Sequence, residues 1–326
     1  MNFTTSTKVA TLVILSALAV GLGLLAGGAG WGWPGTATAT GRAILELRLC
    51  RVVTGFIVGG GLSCAGCALQ AVLRNPLAEP YVLGVSSGGA LGAALVIAGG
   101  GAMLTPLALP GGAFAVAALT LMFVCALARR AGGGCTPNTL ILTGVVAGAM
   151  LSSLLMLLVS LMGAHAVQST IWWLLGNLQA TSWPLVATVG GLVTLAVLTL
   201  CWEARALNAL ALGREAAHNL GVQTRLSLPL ILGAATLAAA AAVSVAGIIG
   251  FVGLITPHIL RRAGYTSHRA LIPASALAGG AFLVLCDIVA RTAHPPHEIP
   301  VGVITALTGG PFFLWLMTRQ REGGAR

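Results

Sequence analysis

Long apolar stretches, separated by short charged or Pro/Gly-rich breaks, dominate the chain. A helix rises about 1.5 Å per residue, so a hydrocarbon core of about 30 Å takes about 20 apolar residues to cross. The stretches predict ten spans: 9–29, 52–73, 84–104, 113–128, 139–163, 184–202, 227–246, 248–260, 270–290 and 300–318. One region does not divide cleanly. Between Leu226 and Leu260 the only ionisable residue is His258, and the stretch is too long for one ordinary span and short for two. The run Gly247-Ile-Ile-Gly250-Phe-Val-Gly253, ahead of Thr256-Pro257-His258, predicts a break and a short, irregular eighth span. Irregular backbone at that depth persists only where protein or a water-filled cavity covers it.

Within the spans, small residues recur four apart, at Gly55/Gly59, Gly84/Gly88/Gly92 and Gly144/Gly148. Helices in lipid associate by close backbone approach, so these rows predict a tightly packed bundle. Trp31, Trp33, Trp172, Trp173 and Trp183 fall near expected outer span ends and fit an interfacial aromatic belt. The first run, Val9–Ala29, follows Lys8, and Ala37-Thr38-Ala39 has the form of a cleavage site. The run is long enough to span, whereas a signal-peptide core has about 7–15 residues, so an uncleaved first helix is expected.

Composition narrows the class. Only 7% of the 326 residues are charged and 57% are hydrophobic, against about 25% charged in soluble proteins. The mean hydropathy is +0.97. A soluble enzyme, a disordered chain and a nucleic-acid-binding module are excluded, despite the pI of 10.3. The 17 cations are Lys8 and scattered arginines, none in a run longer than two. Ten spans put both termini on one side. With the termini inside, Arg42, Arg48, Arg51 and Arg291 lie outside and the other 13 cations inside, which fixes the expected orientation as N-in, C-in. The four outer arginines read either as local caps, with Arg291 pairing Asp287 one turn back, or as a cationic face for an acidic partner.

The longest internal hydrophilic segment, residues 203–225, places Leu207 and Leu210 at helical spacing, and Gly213 and Gly221 would end two short helices. It is either a plain connection or a cytoplasmic docking element. The seven cysteines lie mostly in apolar runs, and Cys64-x-x-Cys67 has no second half, so neither a disulfide framework nor a metal site is expected. The lone Lys8 follows Thr7, so the chain has no Walker A phosphate loop. Asp287 is the only clearly intramembrane carboxylate, Ser86-Ser87 has no His/Asp partners nearby, and His294-Pro-Pro-His297 reads as an external turn. The residues describe a conduit with no evident motor of its own.

Several blocks together resemble the FecCD family of ABC importer permeases. They are Arg48-Leu-Cys-Arg51, Gln70, Arg74-Asn-Pro-Leu-Ala-Glu-Pro80, Leu83-Gly-Val-Ser-Ser-Gly88, Trp173-Leu-Leu-Gly176, Gly250-Phe-Val-Gly-Leu-Ile-Thr-Pro-His258, Asp287-Ile-Val-Ala-Arg291, Glu298-Ile-Pro-Val-Gly302 and Gly310-Pro-Phe-Phe-Leu-Trp315. The resemblance implies an all-α polytopic membrane protein with the type II ABC importer permease fold, one permease domain over 1–326, in a bacterial inner membrane. It implies a second, identical permease subunit, two ATPase subunits that bind ATP and Mg, and a periplasmic substrate-binding protein. It implies no cofactor, metal or catalytic residue in this chain and no nucleic-acid partner. Arg48, Arg51 and Arg291 are then expected to dock the binding protein. Gly213, Arg214, Glu215 and Gly221 are expected to contact the ATPase within the 203–225 coupling loop, and Thr136, Pro137 and Asn138 to lie at the inner gate. Cys50 departs from a frequent proline, and Pro137 and Asn138 from small hydroxylated residues. The expected cargo is an iron chelate (a siderophore or haem) or cobalamin. A proton-coupled transporter built on Asp287 and a non-transporting scaffold are the rival readings.

Overall fold

The computed structural model describes residues 5–323 apart from 28–29, 102–104, 106, 131–135 and 179–181, and for residues 5–6 and 316–323 it describes the backbone alone. Each predicted span receives a helix. Among the described residues, seven are long and apolar enough to cross a bilayer: α1 (Thr5–Leu25), α2 (Ala39–Val72), α4 (Ala108–Arg130), α5 (Pro137–Leu161), α7 (Trp183–Trp202), α10 (Thr224–Ala246) and α12 (His268–Thr292). The other three are α3 (Val85–Ala98), α11 (Val252–Arg262) and α13 (Val301–Gly323). At 14 and 11 residues, α3 and α11 extend only about 21 and 16 Å, short of the hydrocarbon thickness. Among the described residues, three further α-helices connect spans, α6 (Ala164–Leu174), α8 (Ala204–Leu210) and α9 (Arg214–Asn219), and a single 3-10 turn, Pro80–Leu83, links α2 to α3. A two-strand ribbon, β1 (Ala26–Gly27) with β2 (Gly30–Trp31), follows α1.

Two boundaries differ from expectation. Helix α2 begins at Ala39, well before residue 52, where the Thr38 hydroxyl caps it by accepting from the Gly41 amide at 3.0 Å. Arg42, Glu46, Arg48 and Arg51 interrupt a hydropathy run but suit a helix, so the charges sit on α2 rather than in a loop ahead of it. Helix α6 was not expected at all, because its mixed sequence lies between two spans. It buries Trp173 among α3, α5 and α10 residues, so that tryptophan belongs to the core and not to the outer belt. Trp31, Trp33, Trp172 and Trp183 are exposed.

Helix α2 is the axis of the bundle. From Val58 to Val72 every residue is buried, against α7, α10, α11 and α12. The expected small-residue rows mark the closest crossings. A Cβ on Gly59 would strike the Gly279 carbonyl of α12, and one on Gly60 would meet the Ala276 carbonyl at 2.8 Å. Further along, a Cβ on Gly66 would strike Gly253 of α11. Gly84 lies against Gly144 and Gly148 of α5, and Gly92 against Gly112 of α4. Helix α1 is built into the same packing, with Gly23 against Val52 and Val284. Cys64 is buried in α2 and its thiol donates to the Ile272 carbonyl at 3.3 Å.

The α2–α12 crossing leaves no room for a side chain at Gly59. Gly59→Leu should destabilise the purified protein by about 3 kcal/mol. Gly191→Ala, where nothing lies within 4 Å, should leave the melting temperature in detergent unchanged or slightly raised. Equal melting of the two variants would show that the crossing is not tight.

Candidate functional site

Three constellations stand out: a charge network at the outer end of α2 and α12, a helix pair at their other end, and a junction of broken backbone between them. The charge network comes from helical spacing. Arg48 and Arg51 lie three apart on α2, Asp287 and Arg291 four apart on α12, and Glu298 in the connection to α13. Arg51 grips Asp287 by Nε (2.9 and 3.1 Å to the two carboxylate oxygens) and by Nη2 (2.7 Å), and its Nη1 donates to both oxygens of Glu298 at 3.1 and 2.9 Å. Arg291 Nε pairs with the same Asp287 at 3.2 Å. Its remaining nitrogens donate to the carbonyls of Ala26 (3.1 Å) and Gly23 (2.9 Å). Arg48 Nη1 donates to the carbonyls of Leu24, Leu25 and Gly32.

Each buried charge is thus compensated, as burial demands. Arg51 and Arg291 face the two carboxylates and Arg48 bonds backbone carbonyls beside them, so these five groups carry one net positive charge. Expected as an external face, the arginines are instead graded in depth. Arg291 is 3% exposed and Asp287 1%; the Arg51 side chain is 13% exposed, and Arg48 is half-buried. Arg291 cannot reach solvent because α1, which sequence alone did not place, closes over it. Asp287 serves as the counter-ion of two arginines rather than standing alone as a carrier. His294 and His297 are exposed in the turn beyond, with stacked rings 5.9 Å apart.

At the other end, the 203–225 segment folds into α8 and α9 as its glycines predicted. Leu207 and Leu210 anchor α8 in the core. Gly213, at φ 119°, turns the chain between the helices, with Arg74 against it, and Gly221, at φ 80°, follows α9. Asn208 ties α8 to the start of α12: its Oδ1 accepts from the His268 amide at 3.0 Å and bonds His268 Nδ1 at 2.8 Å, while Nδ2 donates to Ser267 Oγ at 3.3 Å. A cavity of about 650 Å³ lies beside α9, lined by Thr136, Arg214, Glu215, His218, Asn219 and Thr224. Thr136 of the expected gate and Arg214 and Glu215 of the expected coupling residues therefore line one space. Thr136 caps α5, accepting from the Thr139 amide at 3.3 Å, and Pro137 takes the first helical position, where a missing N–H costs nothing. Asn138 is exposed beside it.

The junction carries roles that sequence reasoning did not assign. Residues 247–251 are not helical, and Phe251 adopts φ 68°. Such backbone requires partners. Glu79 supplies one, its carboxylate accepting from the Phe251 amide at 2.7 Å. Tyr81 supplies two, donating to the Ile249 carbonyl at 2.7 Å and accepting from the Ile249 amide at 3.1 Å. Gln70 donates to the Gly253 carbonyl at 3.0 Å and accepts from Arg261 at 2.6 Å. Burial pushes the Glu79 carboxyl up from its ordinary range, and the Phe251 amide partly opposes the shift. The only signal in the chain was that Gln70, Glu79 and Phe251 fall inside motif blocks.

The FecCD transport family profile matches residues 9–319. This chain is a member of the FecCD transport family. Its relatives include the cobalamin import system permease BtuC of Halobacterium salinarum, 43% identical over 85% of this chain and 73% of that one. The hemin transport system permease HmuU of Yersinia pestis is 36% identical over 85% and 84% of the two chains. A solved structure assigned to an inward-facing, metal-chelate type ABC transporter superposes with a TM-score of 0.84 at 29% identity, covering 97% of this chain and 99% of that one. The FecCD chain is accordingly a multi-pass inner-membrane permease of an ABC importer, and the self-powered reading based on Asp287 gives way.

In this FecCD permease Glu79 acts as a cap for a helix that starts inside the bundle. Glu79→Leu should cost about 1–3 kcal/mol, the penalty of leaving the Phe251 amide without an acceptor. Glu79→Gln keeps an oxygen in place and should melt within about 1 kcal/mol of the parent. Thermal unfolding in detergent checks both, and equal losses would remove the capping role.

Proposed function

We propose that this FecCD permease moves cobalamin or an iron chelate, such as haem or a ferric siderophore, into the cytoplasm. It works as a homodimer. Separate ATPase subunits bind ATP and Mg and press on α8 and α9, and a substrate-binding protein docks outside on the cluster around Arg48 and Arg51. The observation that carries this reading is the two-ended build of α12. One end is bonded through Asn208 to the α8–α9 pair, and the other carries Asp287 and Arg291 of the charge network. The cobalamin and hemin permeases among the relatives support the cargo class. A bulky chelate crossing a weakly polar interface needs little specific grip, so selection rests with the binding protein.

Docking is expected to involve acidic groups on the partner, because the cluster has a net positive charge. Arg291 contributes by fixing Asp287, and Arg48 and Arg51 carry the exposed edge.

Proteoliposomes holding the permease and its ATPase, supplied with binding protein and a panel of cobalamin, haem and ferric siderophores, should take up one cargo class. Uptake should require ATP and ignore protonophores. Uptake without ATPase that collapses with a protonophore would restore a proton-coupled mechanism, and partner binding with no flux would restore a scaffold.

Gly213→Leu should lower substrate-stimulated ATPase activity about tenfold while membrane insertion stays normal. A side chain at that backbone angle costs about 1–3 kcal/mol and distorts the α8–α9 turn. Unchanged stimulation would remove α8–α9 as the point where force enters.

A further inference from the structure

We propose that Glu298 is an internal stand-in for the docking partner's carboxylate. It holds the outward edge of Arg51 until an acidic group of the binding protein takes its place, and the exchange frees the start of α13. The inference rests on the docking reading above.

The two edges of the Arg51 guanidinium are not equivalent. The Nε/Nη2 edge grips Asp287, whose side chain is 2% exposed and which is further held by Arg291. That contact is shielded from water and two-pronged, the strongest form an arginine–carboxylate pair takes. The Nη1 edge meets Glu298, whose side chain is 26% exposed. Residues 293–297, which lead to it, are all exposed. An incoming carboxylate can therefore approach Nη1 from solvent and replace Glu298, while Asp287 keeps the guanidinium in position. One carboxylate leaves as another arrives, so no buried charge is stranded.

The exchange has a mechanical result because Glu298 sits three residues before α13. Helix α13 leans on the bundle by a narrow stripe, with Val301, Thr305 and Gly309 its buried positions among the described side chains. Its start is fixed by the Ile299 amide donating to the Ala290 carbonyl at 2.9 Å, by Gly302 wedged between the Leu175 and Ile248 carbonyls, and by the Arg51–Glu298 pair. The pair is the one of these that an outside group can reach. Its loss loosens α13 beside the broken backbone at Ile248 and Phe251, where the Phe251 ring rests on Gly309.

The test measures docking of the binding protein that supports uptake to the nanodisc-embedded permease–ATPase complex, at low salt. Arg51→Gln should weaken docking. Glu298→Gln should tighten it about threefold to fivefold, the worth of a partly exposed ion pair, and the gain should vanish in the Arg51→Gln/Glu298→Gln double variant. Glu298→Asp should dock like the parent. Hydrogen exchange at the amides of 301–305 should speed up when binding protein docks on the unaltered permease, and in Glu298→Gln should be fast before docking. If Arg51→Gln docks normally, the docking reading fails and this inference with it. If Arg51→Gln weakens docking but Glu298→Gln does not tighten it, or tightens it equally with Arg51 removed, docking stands and the stand-in role is overturned. Tightening by Glu298→Asp as well would mark general loosening and overturn it too. Unaltered exchange at 301–305 on docking would overturn the release of α13.

Discussion

The close approach of α2 to α12 is the contact on which everything else is hung. Lipid offers helices no hydrophobic reason to associate, so adhesion depends on how nearly two backbones can touch. Gly59, Gly60 and Gly279 remove the side chains that would hold these two apart. Once the axes are that close, Arg51 necessarily faces Asp287 at one end, and Cys64 reaches the Ile272 carbonyl further along. The polar contacts are consequences of the apolar one. They fix register and angle after the crossing has set the distance.

A second constraint follows from the need of every buried backbone polar group for a partner. The stretch 247–251 leaves the helical ladder inside the bundle, and its polar groups are met by side chains from the turn after α2. Glu79 and Tyr81 do this from the short turn between Val72 and Val85, which packs against the start of α11. The entry to α3 and the late start of α11 thus belong to one arrangement.

How much of this could be read from the residues alone depended on range. Local periodicity located the ten spans, the small-residue rows, the break near Gly247 and the two helices around Gly213, because each is written within a few turns of chain. The Asp287–Arg291 pair was visible for the same reason. Arg51 was recognised only as a charge, since its partners Asp287 and Glu298 lie 236 and 247 positions away and no spacing rule links them. The start of α2 was misplaced because arginines that end an apolar run do not end a helix. Trp173 looked interfacial because α6, which turns it inward, is only 11 residues long and too short to stand out as a span. The family blocks marked Gln70 and Glu79 without saying what they hold.

Helix α12 runs for 25 residues with Pro273 inside it, about 37 Å in all, and is clasped at its first turn by Asn208 and near its last by Arg51. Between the two clasps stands Pro273, whose missing N–H removes one rung of the helical ladder and lets the helix bend near its first turn. The clasps are therefore joined by a single helix with a yielding point beside Asn208, and not by a stiff bar.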